Sequence, residues 1–246
     1  MNTYAQVMKA LEGAGTAQTR KVYERHGVTG PAFGVSYAFL KKLDKQVEYD
    51  QALADKLWDS GNHDARVFAC WSAEEDKVTP KMLDRWAKEA GSSVLGGEVA
   101  SLAAFTKHGA SRSAKWRRMK DERRASMGWS IVANLAMQPK RLLEDGGVSD
   151  DELSGCLEQI QEGIHDAKNR VRQGMNTALI AIGCRPSMTK AALKVAKRIG
   201  PVDVDHGETS CKTFDAFDAI QKSISHYAAK GKNPTDGSGG KRRRHC

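Results

Sequence analysis

Apolar residues recur at helical spacing along the chain, and no run alternates in the two-residue rhythm of a half-buried strand. Tyr49, Leu53 and Leu57 fall on one face, and Leu83, Trp86, Ala87 and Ala90 on another. Met127, Ile131 and Leu135 repeat the pattern, as do Val171, Met175, Ala178, Leu179 and Ile182. Phe214, Phe217, Ile220, Ile224 and Tyr227 form a last stripe. One-sided faces of this kind are buried by packing helix on helix. The spacing predicts an all-α chain of short helices joined by turns, either a compact bundle or stacked antiparallel pairs. No strict repeat is visible, although HEAT-type repeats are degenerate enough to hide one.

Punctuation agrees. Thr79-Pro80 supplies an N-cap with proline at the first helical position, and Gly30-Pro31 reads as a helix start without a side-chain cap. Ser149 and Glu152 have the spacing of a capping box, and Gly91, Gly147 and Gly200 stand where helices would stop. Residues 201–213 form a polar connector. The expected organisation is one helical-repeat domain, 1–230, followed by a basic tail, 231–246, too poor in apolar residues to order.

Among 246 residues, 39 Lys and Arg against 30 Asp and Glu leave a formal charge of +9. That excess points to a polyanionic partner, nucleic acid before an anionic membrane surface, while a basic surface kept for solubility gives the same sum. No stretch reaches the ~18 uninterrupted apolar residues of a membrane span, and the N-terminus lacks the basic-then-apolar order of a secretory signal. Cys70, Cys156, Cys184, Cys211 and Cys246 include no CxxC pair and read as reduced thiols of a cytoplasmic, or nucleoid-associated, protein.

Ser111–Arg124 concentrates seven cations, Arg112, Lys115, Arg117, Arg118, Lys120, Arg123 and Arg124, against Asp121 and Glu122. Read as one helix of about four turns, this density is costly unless phosphates or carboxylates come close, although a solvated helix face is the alternative. Trp116 within it either stacks on a sugar or base or anchors the helix to the core. Lys168, Arg170 and Arg172 form a second cluster, and Lys190, Lys194, Lys197 and Arg198 a third. Clusters at similar places in successive helical units fit a concave surface tracking a duplex backbone.

Asp203, Asp205, His206, Glu208 and Cys211 include metal-ligand types, but their spacing matches no standard structural zinc site. They read as a loop capping neighbouring helix ends, with Thr209 and Ser210 as cap candidates. His63, beside Asp64 at a helix start, reads as structural. There is no nucleophile elbow, phosphate-binding glycine loop or paired catalytic Cys and His, so no metal or cofactor is expected.

Gly27–Leu43, GVTGPAFGVSYAFLKKL, resembles the N-terminal signature of the AlkD-like DNA alkylation repair proteins. Gly61–Ala69, GNHDARVFA, is similar to a helix start of that family, and Val202–Thr213, VDVDHGETSCKT, to a C-terminal motif of one subgroup. The resemblance spans roughly residues 1–228. It implies a HEAT-like superhelix, an α-solenoid of antiparallel helix pairs, that grips duplex DNA as a monomer. It also implies possible excision of N-alkylated purines of the 3-methyladenine and 7-methylguanine type by glycosidic bond hydrolysis. In that chemistry aromatic rings contact the deoxyribose and a carboxylate stabilises the oxocarbenium ion.

Aligned by helix order, the family's tryptophan and carboxylate fall at Val94 and Glu98, its second tryptophan near Thr177, and its phosphate-gripping arginine at Arg124. The resemblance thus implies a catalytic Glu98 without its aromatic platforms. A slip of one turn or more would bring Trp86 to the site instead. The expected DNA contacts are Arg112, Lys115, Arg117, Arg118, Arg123, Arg124, Lys168, Arg170 and Arg172. A non-catalytic relative binding unusual DNA structures, and a helical scaffold for another protein, remain the alternatives.

Overall fold

A computed structural model describes residues 3–138 and 147–235. Thirteen α-helices and no strand occur among the described residues, as the periodicity requires. The first seven are α1 (Tyr4–Ala14), α2 (Ala17–Arg25), α3 (Tyr37–Asp44), α4 (Gln51–Asp59), α5 (His63–Ser72), α6 (Pro80–Glu89) and α7 (Ser93–Ala104). The others are α8 (Gly109–Arg117), α9 (Glu122–Ala136), α10 (Asp150–Gly163), α11 (Asn169–Gly183), α12 (Thr189–Ile199) and α13 (Ala216–Ala228). None is long and apolar enough to cross a membrane among the described residues. The chain divides between Leu102 and Ala103 into two compact units.

In the first unit α5 is buried along nearly its whole length, and α1, α3 and α4 pack around it. Trp58 and Trp86 stack at 4.2 Å between centroids, with the Arg66 guanidinium 5.0 Å from the Trp58 ring. In the second unit α9 is packed between α8 and α11, and α11 in turn against α12 and α13. Close packing there uses small residues. A Cβ on Gly128 would meet Arg117 N at 2.6 Å, and one on Gly183 would run into the Ile220 side chain.

Most caps stand where the sequence placed them. Thr79 accepts from Met82 N–H with Pro80 following, Ser149 and Glu152 form the capping box, and Gly91 and Gly200 adopt positive φ after α6 and α12. Gly147 follows residues outside the described set. The helix expected at Gly30-Pro31 begins later, at Tyr37, under a Ser36 cap. Pro31 instead lies in an extended loop and accepts a hydrogen bond from His63 N–H at 2.7 Å.

Ser111–Arg124 is likewise two helices rather than one. Arg118 ends α8, and the Asp121 carboxylate caps α9 by accepting from Arg124 N–H. Local hydrogen bonding to a short acidic side chain outweighs the tendency to continue the helix. The cap before α13 is Asp215, not Thr209 or Ser210. Two stripe members also lie outside the core, because they precede their helices: Tyr49 is exposed and Phe214 is 71% exposed.

The connector after α12 is non-helical and is held by α11. The Asn169 side chain donates to Asp205 O and accepts from Asp205 N–H, Arg172 Nη1 donates to Asp203 O, and Asn176 Nδ2 donates to Phe214 O. Of the expected tail, residues 236–246 lie outside the described set. The structured chain runs past Lys230, since Lys232 N–H donates to Tyr227 O and Pro234 is buried.

Candidate functional site

Glu98 projects from α7 toward the first unit's own aromatic side chains. Its Oε1 accepts from the Tyr37 hydroxyl at 2.9 Å, and its Oε2 accepts from the Trp71 indole N–H at 2.7 Å. The two rings meet edge to face at 5.7 Å. Both carboxylate oxygens are therefore aimed by donors on other helices. Burial, and next the neighbouring Glu98 charge, raise the Tyr37 phenol far above its ordinary pKa, so it remains a donor. Glu98 is itself only half-buried, and a Cβ on neighbouring Gly97 would meet nothing within 4 Å.

Tyr37 is positioned by a polar anchor under the preceding loop. Asp64 is fully buried and accepts backbone N–H bonds from Phe33 at 2.7 Å, Gly34 at 3.0 Å and Val35 at 2.8 Å. The loop's carbonyls are met as well. Arg20 donates to Phe33 O, Thr16 N–H to Gly34 O, and the Tyr23 hydroxyl to Val35 O. Gly34 has φ +80°, and a Cβ there would run into Thr16 O and the Arg20 side chain, so the close approach needs glycine. Burial and the Asp64 charge raise the Tyr23 pKa. His63 packs edge to face on Tyr23 at 4.8 Å, and burial lowers its pKa.

The alignment by helix order offered no aromatic partner for Glu98. The structure supplies two from other helices, Tyr37 and Trp71, while Val94 is half-buried one turn before the carboxylate. Trp86 is fully buried against Trp58. Trp71, 7% exposed, aims the carboxylate and offers little open ring; Tyr37 is the half-exposed one. Spacing alone could not find this trio, whose members lie 61 and 27 residues apart.

The second unit holds the basic cluster, and its cations divide by environment. Trp116 is fully buried and anchors α8. Arg117 lies over the Trp129 ring at 4.9 Å and donates to Gln159 Oε1 at 2.6 Å. Arg124 pairs with Asp121 at 3.2 Å, and its backbone N–H chiefly lowers that carboxyl's pKa. Arg112 is half-buried and Lys115 exposed on α8. Arg118, Lys120 and Arg123 are exposed at the α8–α9 turn.

Lys168 reaches this turn, donating through Nζ to Lys120 O at 3.1 Å. Arg170 gives its backbone N–H to Glu122 and its guanidinium to Gln173. Arg172 is committed to the Asp203 and Ala167 carbonyls. Fixed charges and exposed ones thus share one edge, where the N-termini of α9 and α11 come together. The exposed guanidinium groups suit phosphate, while first-turn N–H groups of the two helices are already met by Asp121 and Glu122.

Comparison with known proteins bears on the fold and the family. The chain resembles, at 26% identity, an uncharacterised protein of Listeria innocua, over 91% of this chain and 98% of that one. A second uncharacterised protein, of Listeria monocytogenes, is 25% identical over the same shares. A solved structure superposes with a TM-score of 0.83 at 27% identity, covering 96% of this chain and 99% of the other. That protein belongs to a new family related to the HEAT-like repeat DNA glycosylases, with affinity for branched DNA structures. The all-α fold is therefore of the HEAT-like repeat kind. Residues 7–201 match the DNA alkylation repair enzyme family, and the chain belongs to it.

Proposed function

We propose that the protein binds DNA through its phosphate backbone at the α8–α9 edge and favours branched over linear duplexes. The observation that carries this reading is the exposure of Arg118, Lys120, Arg123 and Lys168 on one edge. Guanidinium and ammonium groups that neutralise phosphates release counterions, so binding should weaken steeply with salt. The preference for branches is supported by the affinity of the structural relative. Acidic protein partners would show a far shallower salt dependence.

The test is titration of labelled linear duplex and four-way junction from about 50 to 200 mM salt. Arg118→Ala with Arg123→Ala should lower affinity and make the logarithmic salt slope shallower by about two units. Unchanged binding by a folded double variant would show that this edge faces plain solvent.

A second reading, excision of N-alkylated purines, is favoured by Glu98. A carboxylate whose two oxygens are aimed by Tyr37 and Trp71 is preorganised to stabilise positive charge developing on a sugar. A cationic alkylated base is already a good leaving group, so little else is required. Glu98→Gln should then reduce release of 7-methylguanine or 3-methyladenine by about 10²–10³ while DNA affinity stays the same. Wild-type protein that leaves no abasic sites in alkylated DNA would remove this reading and leave the first standing.

A further inference from the structure

Helix α12 carries the cationic cluster that the α8–α9 edge leaves unused. Its buried face is Ala192, Val195 and Ala196. Lys190, Lys194, Lys197 and Arg198 are all exposed on its outward face. None of the four belongs to a salt bridge among the described residues. The helix's own electrostatics accounts for Lys197 and Arg198, which lie in the last turn where the dipole favours cations. It does not account for Lys190, in the first turn, where the same dipole disfavours positive charge and Met188 offers no side-chain cap. Lys190, Lys194 and Arg198 also stand four residues apart, the spacing at which like charges repel.

Contacts at both ends fix where this stripe lies within the second unit. At one end the Thr189 hydroxyl donates to Gly183 O, the last residue of α11, at 2.8 Å. At the other, His165 Nε2 lies 2.9 Å from Ile199 O, and Asn169 of α11 holds Asp205. Helix α12 is therefore antiparallel to α11, and its C-terminal end reaches the edge where Lys168 touches Lys120. The exposed cations form two limbs. One follows the edge through Arg118, Lys120, Arg123 and Lys168 toward Arg198. The other turns and runs along α12 for about 12 Å, from Arg198 to Lys190, at about 1.5 Å per residue.

We infer that Lys190, Lys194 and Lys197 form a second phosphate-binding surface, which takes a second arm of a branched DNA whose first arm lies on the α8–α9 edge. The inference rests on the reading of the chain as a DNA-binding protein. A straight duplex can follow one limb, whereas two arms diverging from a branch can follow both. The three lysines rise about 6 and 4.5 Å apart along α12, within the span of one or two phosphates of a strand at about 3.4 Å each. The outward face of α12 carries no large apolar side chain, which a protein partner would need as an anchor.

The test uses the full chain with Lys190→Ala, Lys194→Ala and Lys197→Ala together, on a linear duplex and on a four-way junction of the same arm sequence. Junction affinity should fall at least about tenfold, and its salt slope should become shallower by about two to three units. Affinity for the linear duplex should change by less than about twofold, because that substrate keeps the α8–α9 edge. Should the triple variant melt early, Lys194→Ala alone should still make the junction slope shallower by about one unit. Equal losses on both substrates, or an unchanged junction affinity, would overturn the second surface and leave DNA binding intact. Wild-type protein that binds neither substrate would sink the underlying reading, and this one with it.

Discussion

Asp64→Asn tests whether one buried carboxylate organises the candidate site. In the native chain Oδ2 accepts from Phe33 and Gly34 N–H, and Oδ1 accepts from Val35 N–H. An asparagine keeps one acceptor oxygen, so at best two of these bonds survive and its amide faces the remaining N–H. Leaving one buried donor unpaired costs about 1–3 kcal/mol, and the two surviving bonds lose their charge assistance at about 1 kcal/mol each. The sum is about 3–5 kcal/mol, a large share of the ~5–15 kcal/mol that holds a domain together. Because the chain has two compact units, loss in one alone should split the urea unfolding curve, followed by circular dichroism, into two steps. The early step should belong to the unit containing Trp58, Trp71 and Trp86. A variant that unfolds within about 1 kcal/mol of wild type would refute the reasoning, since bonds so easily replaced cannot be fixing the loop.

Arg117→Ala should cost about 1–2 kcal/mol of stability, because it removes both the contact with Trp129 and the bond to Gln159, whereas Arg118→Ala should leave the melting temperature unchanged. Equal thermal effects of the two would show that Arg117 is not structural. The pH dependence of stability should include His63, whose folded-state pKa is lowered by burial. The unfolded chain then binds the extra proton first, so this contribution is full above the unfolded pKa of about 6.5 and is lost as pH falls through the folded value. His63→Phe keeps a ring against Tyr23 without the titration, and its melting temperature should fall less than that of wild type between about pH 7.5 and 5.5. Parallel pH profiles would exclude His63 as the titrating group.

What the sequence made legible follows from the range of each interaction. Apolar periodicity is local, so Leu53 and Leu57, Met127 and Ile131, and Ala178 and Leu179 were readable as buried faces and are buried. Caps are local too, which is why Thr79 and Ser149 stand where they were expected. The break in the basic segment rests on a single cap residue, Asp121, and dense charge on both sides hides so short a signal. The aromatic partners of Glu98 were missed for a different reason. Helix order looks for an aromatic residue on the carboxylate's own helix, and here its two hydrogen-bond donors come from α3 and α5.

The two N-terminal segments that resemble family signatures turn out to be a single physical device. GNHDARVFA contributes Asp64, and GVTGPAFGVSYAFLKKL contributes the three N–H groups that Asp64 receives. The loop so fixed ends at Ser36, which caps α3, and the first residue of that helix is Tyr37. Eight residues after the anchor's helix begins, α5 presents Trp71 to the same carboxylate. One buried charge therefore fixes the loop that leads to Tyr37, and it stands on the same helix, capped by Asn62, that carries Trp71. Alanine in place of the nearby Gly34 should disturb the same geometry without touching any charge, since its Cβ would push on the Arg20 side chain and Thr16. The motifs are consequently about aiming Glu98, and the exposed cations of the α8–α9 edge belong to a different part of the chain.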